Sequence, residues 1–200
     1  MAIPGESIAI VILLDELELQ CRLAQAAIER LQAAAAAWRN NIPGKGAPLQ
    51  IVSDCIVCLS ASAAIYRLLE PGERKGKRLP VPAKRCKALR RVLGYPPLVE
   101  AKKQGTRNSW EHMDERLDVV FTSRSYTKFS PVHLAPQPPT PDTFVHHHFD
   151  PVAVAIKHGP DSIRLEALHG ECSNLLEAIR YAMLELAIGV HAPYPIEDRA

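Results

Sequence analysis

Aromatic side chains are scarce in this chain of 200 residues, in which Phe, Tyr and Trp together account for only 6%. Hydrophobic residues nevertheless make up 47%, so a buried core has to be assembled mainly from Ala, Leu, Ile and Val. The sequence also contains no internal repeat and no glycine-rich phosphate-binding loop, which argues against a solenoid and against a P-loop nucleotide site. Its length suits one domain, so residues 1–200 are predicted to fold as a single unit.

Long apolar runs and a cysteine framework are missing as well. The run at 8–14 is far too short to span a bilayer, and no basic residue precedes it as in a secretory leader. The five cysteines are odd in number and show no framework spacing, which predicts reduced thiols. Cys55 and Cys58 form a C-x-x-C without a second pair and are predicted to be small buried residues. We therefore expect a soluble cytoplasmic protein with no membrane contact.

A strong overall charge is absent too, because the formal net charge is only +2. The distribution is uneven, however: residues 71–107 hold twelve Lys or Arg against two Glu, an excess of ten. Such a stretch can track the phosphate backbone of a nucleic acid, although it lacks interleaved aromatic residues for base stacking. The alternative is a solvated loop and helix face. The candidate nucleic-acid-binding residues are Arg74, Lys75, Lys77, Arg78, Lys84 and Arg85.

Apolar residues recur at helical spacing along most of the chain, which predicts a mainly α-helical fold. The predicted helices, in chain order, cover residues 7–39, 49–69, 82–94, a segment that opens at Pro96-Pro97, and 170–188. The β-branched residues at 8–14 leave a strand start open as an alternative for the first of them.

One region of the chain departs from the helical pattern. Residues 130–142 hold five prolines and are predicted to form a loop. Residues 144–156 and 163–168 alternate in strand fashion around His158-Gly159-Pro160-Asp161, a favourable turn, which predicts a β-hairpin. The expected architecture is a helical bundle in which residues 130–168, a proline-rich loop and a hairpin, are inserted before the last helix.

The most informative stretch is Arg107-Asn108-Ser109-Trp110-Glu111-His112, which opens an amphipathic helical pattern that continues to Phe121. At roughly 100° per residue, Asn108 and His112 lie opposite the apolar stripe of this helix. That stripe consists of Trp110, Met113, Leu117, Val120 and Phe121. The polar side chains are therefore predicted to face either water or a second molecule, since they do not face this helix's own core.

Arg107-Asn108-x-x-x-His112 resembles the Arg-x4–6-His signature of the HEPN superfamily, in which a polar residue often follows the arginine. The resemblance covers these six residues and the surrounding helical pattern. It implies a HEPN-like up-and-down helical bundle that pairs as a homodimer. It also implies a metal-independent endoribonuclease of the toxin or defence type, whose composite site lies at the dimer cleft and needs no cofactor. A cognate antitoxin or another protein partner is a further expectation, as is RNA itself.

RNA cleavage through the 2′-hydroxyl needs a base, a donor that stabilises the phosphate and an acid for the leaving oxygen. The catalytic candidates are Arg107, Asn108 and His112. Histidine can transfer the protons because its pKa is ordinarily near neutrality, and arginine offers a planar donor fork that matches phosphate oxygens. Asn108 can orient the imidazole ring or donate to the phosphate. Because one motif supplies one histidine, two copies across a two-fold axis would complete the site.

Two readings without this chemistry remain. A polar helix face is commonly just solvated, so the chain can be a catalytically inactive helical module that binds a protein or a nucleic acid. A third reading centres on His146-His147-His148, where strand alternation places His146 and His148 on one face. Two histidines do not complete a closed zinc site, so no metal ligand is predicted.

Overall fold

The computed structural model describes residues 5–40, 48–70, 73–74, 77–78, 80–103, 106, 118, 122, 128–158 and 161–188. Across these ranges the protein is mainly helical, with a small β-sheet near the C-terminus of the chain. The predicted fold class is confirmed at this level of detail.

Four helices have both ends within the described ranges, and they agree closely with the helical periodicity of the sequence. They are α1 (Gly5–Arg39), α2 (Pro48–Leu69), α3 (Pro80–Val92) and α4 (Leu165–Ala187). Residues 8–14 belong to α1, so the strand alternative for this segment is wrong. Helix α4 begins five residues earlier than predicted, since residues 165–168 are helical rather than extended.

The core lies where α1 packs between α2 and α4. Leu14, Leu17, Ile28 and Leu31 of α1 are fully buried, and each leucine or isoleucine buried in this way contributes about 1.5–3 kcal/mol. Helix α4 runs antiparallel to α1. Gln25 contacts Ser173 while Glu29, further along α1, approaches His169, which is earlier in α4.

Helix α2 is long and apolar enough to cross a membrane by length and composition, and half of its most apolar window is buried within the protein. The buried half is the face that contacts α1 and includes Ile51, Cys55, Leu59 and Ile65. The apolar character of α2 therefore serves the core in this structure.

The sheet has four strands in the order β3-β4-β5-β6. They are β3 (Lys128–Leu134), β4 (Thr143–Asp150), β5 (Ala155–His158) and β6 (Asp161–Arg164). Strands β3 and β4 are parallel, whereas the other two pairings are antiparallel. Two shorter strands, β1 (Glu73–Arg74) and β2 (Lys77–Arg78), pair antiparallel between α2 and α3.

The inserted region contains more sheet than the sequence pattern predicts. The hairpin around His158 and Asp161 is confirmed, because these residues pair across β5 and β6. The predicted loop at 130–142 is wrong in its first part, since β3 covers 128–134. Proline is compatible with β3 because it is an edge strand, where a missing N–H need not break the ladder.

The predicted strand at 144–156 is also wrong as one element, because a turn at 151–154 divides it into β4 and β5. The Asp150 carboxylate accepts hydrogen bonds from the backbone N–H groups of Val152 and Ala153, both at 2.9 Å. These local hydrogen bonds stabilise a turn directly after Asp150. The strand therefore ends there, although the alternation of apolar residues continues to 156.

The helix predicted to open at Pro96-Pro97 does not begin there. Residues 95–98 are not helical, and the chain bends and turns over 99–102. A proline disfavours the helical conformation of the residue before it, which here is Pro96. Tyr95 also has a positive φ of 54°, directly after Gly94 at 71°, so the chain leaves α3 through two left-handed residues.

Candidate functional site

The three predicted catalytic residues, Arg107, Asn108 and His112, lie outside the described residues, as does Lys75. The structure does describe three positions around the motif. Thr106, immediately before Arg107, is helical and fully buried, and its Oγ1 atom has no hydrogen-bond partner within the described part of the chain. Asp118 and Thr122 are helical and exposed, and the Thr122 hydroxyl donates to the Asp118 carbonyl at 2.9 Å.

A carboxylate on α4 holds the bend that precedes the motif. Glu171 accepts hydrogen bonds from three consecutive backbone N–H groups, those of Val99, Glu100 and Ala101, at 2.8, 2.6 and 3.1 Å. Successive N–H groups that converge on one point form an anion-binding concavity, which in this protein is filled by the protein's own side chain. The chain at 99–101 is therefore tied to α4 by charge-assisted bonds.

Glu100 forms a second connection next to the first. Its side chain is buried and accepts from Lys103 Nζ at 2.7 Å and from the Arg164 backbone N–H at 3.0 Å. The Arg164 guanidinium lies 3.4 Å from the other oxygen of Glu100, and Lys103 also donates to the Ser162 carbonyl at 2.8 Å. A buried carboxylate with two cationic partners is satisfied, so Glu100 has a structural role that joins the pre-motif bend to β6.

The basic stretch contains half-buried cations that contact other parts of the fold and exposed cations along one face of α3. The side chains of Arg74, Lys77 and Arg78 are not among the described side chains, although their backbones form β1 and β2. Arg85 is half-buried and donates to the Arg67 carbonyl at 2.9 Å, close to the C-terminal end of α2. Arg90 forms a salt bridge with Glu70 and lies over the ring of Tyr95.

The outer face of α3 is formed by Lys84, Lys87 and Arg91, which are all exposed. Their spacing of three and four residues places them on one side of the helix, opposite the buried Cys86 and Leu89. Three cations along about 10 Å of helix axis form a surface suited to phosphate groups. We call these three residues the basic face of α3.

Two histidines meet on the sheet. His133 on β3 and His148 on β4 are register neighbours, with ring centres 4.8 Å apart and planes at 76°. His133 Nε2 lies 2.8 Å from the Gln137 carbonyl, and His148 Nε2 lies 2.9 Å from the Ala135 carbonyl. Since a carbonyl can only accept, each Nε2 atom donates a proton, and in the neutral ring the Nδ1 atom carries a lone pair.

Burial lowers the pKa of His148 below its ordinary value. The Ala135 carbonyl and Asp150 oppose this effect, whereas the nearby His133 and Lys157 add to it.

Because of this lowered pKa, the His148 ring becomes protonated at a higher pH in the unfolded chain than in the folded protein. Stability should fall as the pH drops below the ordinary histidine pKa of about 6.5 and through the folded pKa of His148. Urea unfolding between pH 8 and pH 5 should show this slope, and His148→Gln should reduce it. An equal slope in the variant would contradict the prediction.

Asp150 and Lys157 form an ion pair beside the histidines, with Lys157 Nζ at 2.6 Å from Asp150 Oδ2. Burial alone would raise the pKa of the Asp150 carboxyl. The hydrogen bonds from Lys157, Ala153 and Val152 outweigh that effect and hold its pKa below the ordinary value. The carboxylate is thus ionised and fully engaged in closing the turn between β4 and β5.

All five cysteines are free and buried, as the sequence predicts for Cys55 and Cys58. The pKa of the Cys21 thiol is raised by its hydrogen bond with Cys172 and by burial, and burial also raises the pKa values of Cys55 and Cys58. A thiol with a raised pKa forms little thiolate and is a poor nucleophile. These residues therefore belong to the core.

Sequence reasoning missed Glu100, Glu171 and His133. Glu171 gives no sequence signal, because its partners are backbone groups some seventy residues away. Among the described residues, no three His, Cys, Asp or Glu side chains lie together in a way that could hold a metal ion. Comparisons with protein-family models, with curated proteins and with solved structures found no match for this chain.

Proposed function

We propose that this protein is a HEPN-like, metal-independent endoribonuclease of the toxin or defence type, which cleaves RNA by attack of the 2′-hydroxyl. The observation that carries the proposal is the Arg107-Asn108-x-x-x-His112 motif within a mainly helical chain. In this account Arg107 binds the phosphate, His112 transfers protons and Asn108 assists. Two copies of the chain in a cytoplasmic homodimer would bring two motifs together, with a cognate antitoxin as a further partner.

Two structural features support this proposal. The basic face of α3 offers exposed cations that can hold the RNA backbone outside the cleavage site. The contacts of Glu171 and Glu100 tie the chain six to eight residues before Arg107 to α4 and β6. Proton transfer requires reacting groups to be held closely in place, and these contacts hold the bend at 99–101 against the rest of the fold.

An exposed apolar stripe on α1 favours a second candidate function, a catalytically inactive module that binds a protein partner. Ile8, Ile12, Leu19 and Leu23 have between 42% and 61% of their surface exposed. At about 100° per residue they fall within one narrow sector, on the side of α1 away from the core stripe. Clustered apolar residues that face solvent are characteristic of protein interaction surfaces.

Cleavage of single-stranded RNA in excess EDTA separates the two candidates. The nuclease is expected to cut at the same rate with and without the chelator, because no step uses a metal ion. The inactive module would leave the RNA intact under both conditions. Loss of cleavage on adding EDTA would contradict the metal-independent chemistry. The protein would then be a nuclease that depends on a metal ion.

A further inference from the structure

The histidine pair on the sheet brings two imidazole rings to a separation that one metal ion can bridge. Imidazole nitrogens bind zinc at about 2.0–2.1 Å, which sets the ring centres about 4.5 Å apart at a right-angled coordination and about 5.2 Å apart at a tetrahedral one. The observed separation of 4.8 Å lies between these values, and the rings are steeply inclined at 76° rather than stacked. The separation of the two rings is therefore compatible with one shared ion.

The hydrogen bonds of the pair also suit metal binding. A metal-ligating histidine usually donates its second ring N–H to a carboxylate or a backbone carbonyl, which fixes both the tautomer and the ring orientation. Here the carbonyls of Gln137 and Ala135 accept from His133 Nε2 and His148 Nε2. Both acceptors belong to the bend directly after β3, so one short segment orients both rings and leaves both Nδ1 lone pairs available.

A cation close to the pair is balanced by a carboxylate. Lys157 is the register neighbour of His148 on β5, but its ammonium is engaged by Asp150 at 2.6 Å. His133 and His148 are each half-buried, which leaves a route to solvent for the ion and for water in its remaining coordination positions.

We propose that His133 and His148 bind a divalent first-row transition metal ion through their Nδ1 atoms, with zinc as the representative ion and water as the other ligands. Imidazole is a preferred ligand for Zn²⁺, Ni²⁺ and Cu²⁺. The site goes beyond the proposed nuclease function, because it lies on the sheet and does not involve Arg107 or His112. The ion would be bound by the sheet that precedes the last helix.

Calorimetric titration of tag-free protein with ZnCl₂ tests the site, and His147→Gln is the matched control. His147 lies between two histidines in sequence, but strand alternation directs it to the face opposite His148. We expect one ion per chain, at least about tenfold weaker binding for His133→Gln and for His148→Gln, and unchanged binding for His147→Gln. Wild-type affinity in both pair variants, or an equal loss in the control, would overturn the proposal.

A measurement on the unaltered protein removes any dependence on how the variants fold. Nitrogen-15 spectra of the histidine rings should show zinc shifting the Nδ1 signals of His133 and His148, while their Nε2 atoms remain protonated. If zinc shifts only signals of other histidines, the ion binds elsewhere and the pair is not its site. Because neither measurement involves RNA, the outcome is independent of whether the chain proves to be a nuclease.

Discussion

Replacing His112 with alanine is expected to slow RNA cleavage by at least about 100-fold, because general acid–base catalysis by a positioned side chain typically contributes 10²–10⁴-fold. In a homodimer every site loses both imidazoles at once, so neither the base nor the acid is retained. The basic face of α3 is unchanged, and RNA affinity should therefore stay close to that of the wild type. The measurement pairs single-turnover cleavage of a short labelled RNA with a binding titration of the same RNA.

The matched control for this experiment is His169→Ala. His169 is half-buried on α4, where its nearest charged neighbour is Glu29 at 4.0 Å, and it belongs to no part of the motif. We expect the control to cut at the wild-type rate. Equal rates for His112→Ala and the wild type would remove the motif histidine from the chemistry. Circular dichroism of both variants shows whether the helices are intact.

Replacing Glu171 with alanine is expected to destabilise the protein by about 3 kcal/mol, since hydrogen bonds to charged groups contribute about 1.5–3 kcal/mol each and are not additive. The substitution leaves three backbone N–H groups at 99–101 without their acceptor, two of them in partly buried surroundings. For a chain of this length that loss corresponds to a decrease in Tm of about 6–12 °C. Thermal unfolding followed by circular dichroism measures it.

Glu177→Ala serves as the comparison for Glu171→Ala. Glu177 lies on the same helix and is exposed, so its removal tests helix propensity and surface charge alone. We expect its Tm to stay close to that of the wild type. The Tm of Glu171→Gln should lie between those of Glu171→Ala and Glu177→Ala, because the amide keeps one acceptor oxygen and loses the charge. Equal stability for Glu171→Ala and Glu177→Ala would show that the bonds to the bend contribute nothing.

The helices could be predicted from the sequence because their signals are local. The apolar stripe of α1 repeats over about six turns, and its buried members, such as Leu17 and Ile28, are the residues that this repeat selects. The last helix illustrates the limit of that method. Residues 165–168 alternate as a strand would, yet Leu165 and Leu168 are buried at the first turn of α4, and tertiary packing decides between the two readings.

The sheet and the polar contacts could be predicted only in part, because their partners are distant in sequence. The hairpin at β5 and β6 has a recognisable turn, whereas β3 pairs in parallel with β4 and carries a proline in a segment rich in that residue. His133 becomes notable only through this pairing, which places it beside His148. The contacts of Glu171 likewise join positions that no local pattern relates. Arg107, Asn108 and His112 remain predictions from the sequence.

The chemistry of the cut RNA ends tests the central claim most directly. Attack by the 2′-hydroxyl, with a histidine for proton transfer and an arginine on the phosphate, predicts a 2′,3′-cyclic phosphate and a 5′-hydroxyl in the presence of EDTA. It also predicts that 2′-O-methyl RNA is not cut, since the attacking group is blocked. Ends carrying a 3′-hydroxyl and a 5′-phosphate, or cleavage of the methylated RNA, would contradict the account.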